Sequence, residues 1–147
     1  MGLDMYLTAK WFIDYSDKDK TRDSLWGVED LRGKKVESIR VEAGYWRKAN
    51  AIHKWLIDTC ASGDDDCREF EVSREQLKRL LCITKEVLKD NIKAAKLLPT
   101  GDGFFFGSTA YDECYYGDLK STVKILEECL DEKEYPAKWC FCYEASW

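Results

Sequence analysis

The sequence has little of several features that often reveal a function. Its 147 residues include one histidine and two prolines. No apolar stretch approaches the roughly 20 residues that cross a bilayer, and the opening Met1-Gly2-Leu3-Asp4 does not resemble a signal peptide. We therefore expect a soluble protein that has no membrane-spanning helix and stays in the cytoplasm of the cell that makes it.

Paired metal ligands are also missing. The seven cysteines are odd in number, none forms a C-x-x-C pair, and one histidine accompanies them, whereas structural zinc sites combine paired ligands at short spacing. We expect free, buried thiols in a reducing compartment, and the sequence indicates neither a metal nor a cofactor. The cysteines are Cys60, Cys67, Cys82, Cys114, Cys129, Cys140 and Cys142.

An excess of positive charge is missing as well. The chain carries 28 acidic and 23 basic residues, and residues 102–147 alone hold 10 acidic and 4 basic ones. Proteins that bind nucleic acid usually present a basic surface. The composition therefore disfavours direct binding to nucleic acid, and the acidic last third suggests either solubility or a basic partner.

Patterns typical of strands and helices are present along most of the chain. Alternating or continuous apolar residues predict strands around residues 3–13, 36–41, 103–107 and 138–144. Apolar residues at three- and four-residue steps predict helices over residues 44–59, 73–98 and 112–130. These elements predict one α+β domain over residues 1–147, in which a mainly antiparallel sheet of about four strands packs with three helices.

Weaker signals lie between these elements. Ser73 and Gln76 have the spacing of a capping box, which predicts that the second helix begins there. Residues 70–72 predict a brief extended piece, and residues 14–35 a long charged excursion from the sheet.

One group of residues could bind a small ligand such as a nucleotide. Arg47, Asn50 and His53 would form a polar ridge on the first helix, and Trp46 could stack on a base. The turn before the third helix could supply backbone amides to an anion. The candidate ligand-binding residues are Trp46, Arg47, Asn50, His53, Ser108, Thr109, Tyr111 and Asp112. The ordinary alternatives are a hydrogen-bonded histidine at the surface or at the edge of the core and a turn that only caps the helix, and we favour both.

No catalytic residue is predicted. Hydrolysis would require His53 to lie about 2.6 to 3.2 Å from a carboxylate or a nucleophile in a cleft, and we expect that it does not. Asp64-Asp65-Asp66 lacks the spacing of a calcium loop and predicts a solvated acidic turn.

Aromatic residues near the C-terminus suggest self-association. Trp139, Phe141 and Tyr143 alternate with Cys140 and Cys142, so an aromatic face left uncovered by helices would need a partner. The predicted interface is Trp139, Phe141, Tyr143 and Trp147, in a two-fold homodimer. Alternatively, residues 14–35 cover that face within one chain.

Three strings together resemble a group of small bacteriophage and prophage proteins with no established activity: the opening MGLDMYL, the segment YWRKANAIHKW and the segment GFFFGST followed by Tyr111 and Asp112. The resemblance implies synthesis inside an infected bacterium. Together with the acidic last third and the surplus of aromatic residues, it favours an accessory phage protein that acts by binding and blocks a bacterial defence or host protein. The alternatives are a small-ligand or nucleotide-binding protein and a small enzyme of unknown reaction.

Overall fold

A four-stranded antiparallel sheet forms one layer of the structure, a computed structural model that describes residues 2–14, 31, 34–103 and 105–147. The strands are β1 (Asp4–Phe12), β2 (Ser38–Arg47), β3 (Phe70–Val72) and β4 (Cys140–Ser146). They lie in the order β2-β1-β4-β3, and every neighbouring pair is antiparallel. The two longest strands are therefore adjacent, although about 25 residues separate them in the chain.

Within the described ranges, four helices form the second layer. They are α1 (Asn50–Cys60), α2 (Arg74–Lys89), α3 (Ala94–Leu97) and α4 (Glu113–Leu130), with a 3-10 turn at Asn91–Lys93. Three of the helices are long, and α3 is a single turn. The predicted α+β architecture with an antiparallel sheet is confirmed.

Buried and exposed side chains alternate along the strands, so one face of the sheet packs against the helices. Met5, Leu7 and Ala9 of β1 are at most 1% exposed, and Phe141 and Tyr143 of β4 lie beside them in the core. The guanidinium carbon of Arg74, on α2, lies 5.2 Å from the centre of the Phe141 ring. The predicted contact between the sheet and the second helix is therefore present.

Local signals set the start and the end of α2. Ser73 accepts a hydrogen bond from the backbone of Gln76, and the Gln76 side chain accepts one from the backbone of Ser73, so the predicted capping box is confirmed. The helix ends at Lys89, earlier than predicted, because Asp90 adopts an extended backbone and caps the following 3-10 turn through Ile92.

Two predicted elements differ in the structure. The segment 103–107, as far as it is described, is a turn in which the Phe106 amide donates to the Gly103 carbonyl, so the predicted strand there is wrong. Phe104 lies outside the described residues. The fourth strand is instead β3. Tyr45 and Trp46, predicted on a helix, lie on β2, where Tyr45 pairs with Tyr6.

The aromatic face of β4 is covered within the chain. Phe141 and Tyr143 are 1% and 0% exposed, so their prediction as interface residues is wrong. Trp139 is partly buried against Trp11 and Tyr135, and Trp147 is 46% exposed. Most of the excursion at 14–35 lies outside the described residues.

Candidate functional site

A cavity of about 570 Å³ lies between the end of β2, the start of α1 and the first turns of α4. Its volume falls within the range of roughly 300 to 1,000 Å³ that is usual for ligand pockets. Apolar side chains, among them Ile52 and Leu119, line much of it. The polar and small residues in its lining include Arg47, Lys48, Asn50, Ser108, Asp112, Gly117 and Asp118.

Lys48 enters this cavity from a left-handed backbone conformation. Its φ is +60°, and this conformation destabilises a non-glycine residue by on the order of 1 kcal/mol. Residues in such conformations cluster at functional sites. The Lys48 amide donates to the Leu3 carbonyl at 2.7 Å, which ties the conformation to the start of β1. A Cβ at Gly107, itself at φ +86°, would lie 3.3 Å from Lys48 Cβ, so only glycine fits there comfortably.

Arg47 supplies a second cation beside Lys48. Its side chain is 62% exposed, and its Nε lies 3.9 Å from the Asp4 carboxylate, which is beyond hydrogen-bonding distance. An exposed pair at this distance contributes little energy. The guanidinium donors of Arg47 are therefore available to a ligand.

Asn50 has a structural role instead of the predicted ligand contact. Its amide nitrogen donates to the carbonyls of Phe106 and Ser108 at 3.0 and 2.8 Å, and its amide oxygen accepts from the Gly101 amide at 3.2 Å. The residue is 4% exposed. These three bonds hold the loop at 101–108 against α1 and so shape one wall of the cavity.

The turn before α4 is organised by its own side chains. The Asp112 carboxylate accepts from the amides of Cys114 and Tyr115, which confirms the ordinary capping that we favoured. This carboxylate occupies the position that an anion would take at the helix N-terminus.

The remaining turn residues are exposed and locally bonded. The Ser108 hydroxyl accepts from the Ala110 amide at 3.1 Å, and the Thr109 carbonyl accepts from the Thr100 hydroxyl at 3.0 Å. The Tyr111 hydroxyl accepts from the Thr100 amide at 3.5 Å. Ser108 lines the cavity, whereas Thr109 and Tyr111 only flank the loop.

Asp118 lies on the α4 side of the cavity. Burial, reinforced by the negative charge of Asp112, raises the pKa of its carboxyl from the ordinary value of 3.8 to about 6. Within the described part of the chain, no side chain donates a hydrogen bond or an ion pair to this carboxylate. The neighbouring Gly117 has open space where a Cβ would project.

Trp46 does not offer a surface to a ligand. Its ring is 4% exposed, and its indole nitrogen donates to the Thr122 hydroxyl on α4 at 2.9 Å. The predicted stacking of a base on Trp46 is therefore wrong.

His53 lies outside the cavity, in a buried chain of hydrogen bonds. Its Nδ1 lies 2.8 Å from the Tyr143 hydroxyl, and its Nε2 lies 3.0 Å from the Asp65 carboxylate. The indole nitrogen of Trp147 donates to the other oxygen of Asp65 at 3.2 Å. Both ring nitrogens of His53 have partners, as we expected, but the residue is 1% exposed and is more deeply buried than a surface or core-edge position.

The His53–Asp65 pair corrects two expectations. We expected no carboxylate within hydrogen-bonding distance of His53, and Asp65, which lines a smaller cleft of about 210 Å³ with His53, is one. The distance between His53 and a carboxylate therefore no longer argues against an enzyme. Asp65 is also not simply solvated; Asp64 and Asp66 are exposed, and Asp66 accepts hydrogen bonds from Arg68. Because both ring nitrogens of His53 are occupied, however, we assign the pair a structural role.

Of the candidate ligand-binding residues, the structure brings Arg47, Asn50, Ser108 and Asp112 to one cavity and leaves the others outside it. Sequence reasoning missed Lys48 and Asp118. Gly117 was a sequence signal for the α4 side of the cavity. Glycine inside a helix destabilises it by about 1 kcal/mol relative to alanine, so its presence usually means that a larger side chain would interfere with packing or function.

Other candidate chemistry is limited. All seven cysteines are free, as predicted, but Cys129 alone is fully buried and Cys67, Cys82 and Cys114 are exposed. Across the described residues, no group of three or more potential ligands could hold a metal ion. None of the described helices is long and apolar enough to span a membrane.

Comparisons with protein-family models, with curated proteins and with solved structures found no match to this chain.

Proposed function

We propose that this chain is a small-ligand-binding protein that holds an anionic group at Arg47 and Lys48, in the cavity between β2 and α4. One observation carries the proposal: two adjacent basic residues, Arg47 and Lys48, line a cavity that is otherwise largely apolar. An apolar pocket with a few convergent polar groups is the usual form of a small-molecule site.

The two cations suit a carboxylate or a phosphate. The Arg47 guanidinium can bind two oxygens of such a group at once, and the Lys48 ammonium adds a compact charge beside it. The left-handed backbone at Lys48 is compatible with the same role, because residues in such conformations cluster at functional sites.

Nucleotides remain part of this proposal, but without base stacking on Trp46. The aromatic residue among the described lining residues is Tyr115, whose hydroxyl donates to the Leu98 carbonyl and which is 6% exposed. A nucleotide would therefore be recognised mainly through its phosphate.

The proposal is tested with a thermal-shift panel of carboxylates, phosphate esters and nucleotides, because a ligand that binds only the folded state raises the melting temperature. A hit should also slow the alkylation of Cys114, which lines the cavity, and leave that of Cys82 unchanged. Cys82 is exposed on α2 and serves as the internal control.

Matched variants locate the site. Arg47→Ala combined with Lys48→Ala should abolish the shift, whereas Arg79→Ala combined with Lys96→Ala, two exposed residues outside the cavity, should leave it intact. If no compound shifts the melting temperature, or if both double variants respond equally, the proposal is wrong.

A second candidate is the binding of a host or bacterial defence protein by an accessory phage protein in the cytoplasm of the infected cell. The exposed acidic end of α4, at Glu127 and Glu128, and the exposed ring of Trp147 favour it. Recovery of a basic host protein from lysate, lost when both glutamates are changed to lysine, would support this candidate; recovery of none would contradict it.

The homodimer stays a prediction, but an uncovered aromatic face no longer supports it. The aromatic face that was expected to need a second copy is covered by helices of the same chain. Light scattering at micromolar concentration tests the mass directly against the 17.1 kDa of one chain.

A further inference from the structure

We propose that the ligand is a small zwitterion, whose cationic group is received by Asp118 while its anionic group binds Arg47 and Lys48. This inference rests on the proposed function and adds the chemical class of the ligand. The juxtaposition that carries it is a cavity with two basic residues on its β2 side and, on its α4 side, a carboxylate that has no partner among the described residues.

Asp118 has no counter-charge on its own helix. Acidic residues on helices are commonly paired with a basic residue three or four positions away. At those positions stand Cys114, Tyr115, Ser121 and Thr122, none of which is basic. Thr122 instead donates to the backbone carbonyl of Asp118 at 2.7 Å.

The opposite wall does not neutralise Asp118 either. Its pKa is shifted upward by burial and by Asp112, and neither Arg47 nor Lys48 contributes a compensating attraction. The two signs of charge are thus separated across the cavity rather than paired with each other. A ligand that carries both charges would complete both halves at once.

Among the described residues, the Asp118 side chain makes no contact that supports the fold. Asp112, and not Asp118, caps α4. A half-buried carboxylate without a partner loses hydration and gains nothing in return, so it weakens the folded state. Carboxyl groups with such a raised pKa in a cleft are typical of binding sites.

The shape of the wall next to Asp118 supports a ligand in contact with it. Gly117 precedes it, and a Cβ at Gly117 would meet no atom within 4 Å. Cys114, one turn earlier on the same side of α4, lines the cavity too. The first turns of α4 thus leave room for a ligand group beside the Asp118 carboxylate.

Matched probes test the charge requirement. Phosphoethanolamine and 2-hydroxyethyl phosphate differ in an amine against a hydroxyl, and L-alanine and L-lactate differ in the same way. Each is titrated against the full chain near neutral pH, with protection of Cys114 from alkylation and the melting temperature as readouts. The variants are Asp118→Asn and, as a matched control, Asp102→Asn, which changes an exposed aspartate outside this cavity.

In the unmodified chain, the amine member of at least one pair should bind at least about tenfold more tightly than its hydroxyl partner, because one charge-assisted hydrogen bond is lost in the latter. Asp118→Asn should bring both members to similar affinity, and Asp102→Asn should preserve the difference. Arg47→Ala with Lys48→Ala should weaken both members.

The failures are distinguishable. Equal binding of both members to the unmodified chain, or a preference for the amine that survives in Asp118→Asn, overturns the zwitterion and leaves the anion site in place. If neither pair binds and the wider panel of anions is also without effect, both the zwitterion and the proposed function are overturned. If other anions bind but no amine-bearing compound does, the zwitterion alone is overturned.

Discussion

The Nδ1 atom of His53 lies 2.8 Å from the hydroxyl oxygen of Tyr143, 90 positions further along the chain. Burial raises the pKa of Tyr143 well above its ordinary value, so its hydroxyl keeps its proton. A carboxylate accepts and does not donate, so Nε2 of His53 donates to Asp65, and with the ring proton on Nε2 the Tyr143 hydroxyl donates to Nδ1. This chain of bonds joins α1 to the last strand.

Removing the Tyr143 hydroxyl should destabilise the fold. Tyr143→Phe keeps the ring but leaves Nδ1 of buried His53 without a donor, which costs about 1–3 kcal/mol in the free energy of unfolding. Tyr45→Phe is the matched control, since its hydroxyl bonds Asp4 on the exposed face and should cost less than about 0.5 kcal/mol. Urea denaturation measures both, and equal losses would contradict the proposed chain.

The elements that could be predicted are those with strong local signals. β1 alternates, α4 repeats its apolar residues, and the capping box of α2 needs only Ser73 and Gln76. The segment at 103–107 could not be predicted, because its turn depends on tertiary bonds from Asn50. The end of β2 was misplaced because Tyr45 and Trp46 also fit helical steps, whereas pairing with β1 decides their conformation.

Asn50 should be the strongest single determinant of the loop at 101–108. Asn50→Ala removes three hydrogen bonds and leaves two carbonyls and one amide without partners, so we expect a loss of about 2–4 kcal/mol. Asn91→Ala, at an exposed position in the 3-10 turn, should change stability by less than about 0.5 kcal/mol. Faster amide exchange confined to residues 101–108 would locate the effect, and unchanged exchange there would refute it.

The raised pKa of Asp118 makes the free energy of unfolding depend on pH. The folded chain holds this proton up to about pH 6, and the unfolded chain releases it near 3.8. Between these two pH values the folded state therefore binds more protons than the unfolded state. As a result, the free energy of unfolding is higher at low pH and falls as the pH rises through this window.

Asp118→Asn should remove that dependence. After discounting the shift for the partial exposure of the group, we expect the variant to be more stable than the unmodified chain by about 1 kcal/mol near pH 7.5. The gain should fall toward zero at about pH 3.5. Thermal melts of both proteins across this range measure it, with Asp102→Asn as the control that shows no such gain. A variant that is less stable at neutral pH would mean that Asp118 has a structural partner.

The candidate ligand site could be predicted from the sequence only in part. Arg47 and Ser108 belong to segments whose patterns suggested a polar cluster, and both line the cavity. Lys48 was not predictable, because its importance lies in a left-handed backbone fixed by Leu3. Asp118 could not be identified from the sequence, because its burial depends on packing between α4 and the end of β2, which no local pattern encodes.

Gly117 offers a test that separates ligand binding from folding. Gly117→Ala and Gly117→Leu should both stabilise α4, by up to about 1 kcal/mol, because glycine is a poor helix former. The space beside Gly117 is open, so neither side chain clashes. Leucine fills that part of the cavity and should abolish binding of any ligand found there, whereas alanine should weaken binding only a few-fold. The pair is compared by thermal melts and by protection of Cys114. A Gly117→Leu variant that is stable and still binds with unchanged affinity would place the ligand elsewhere.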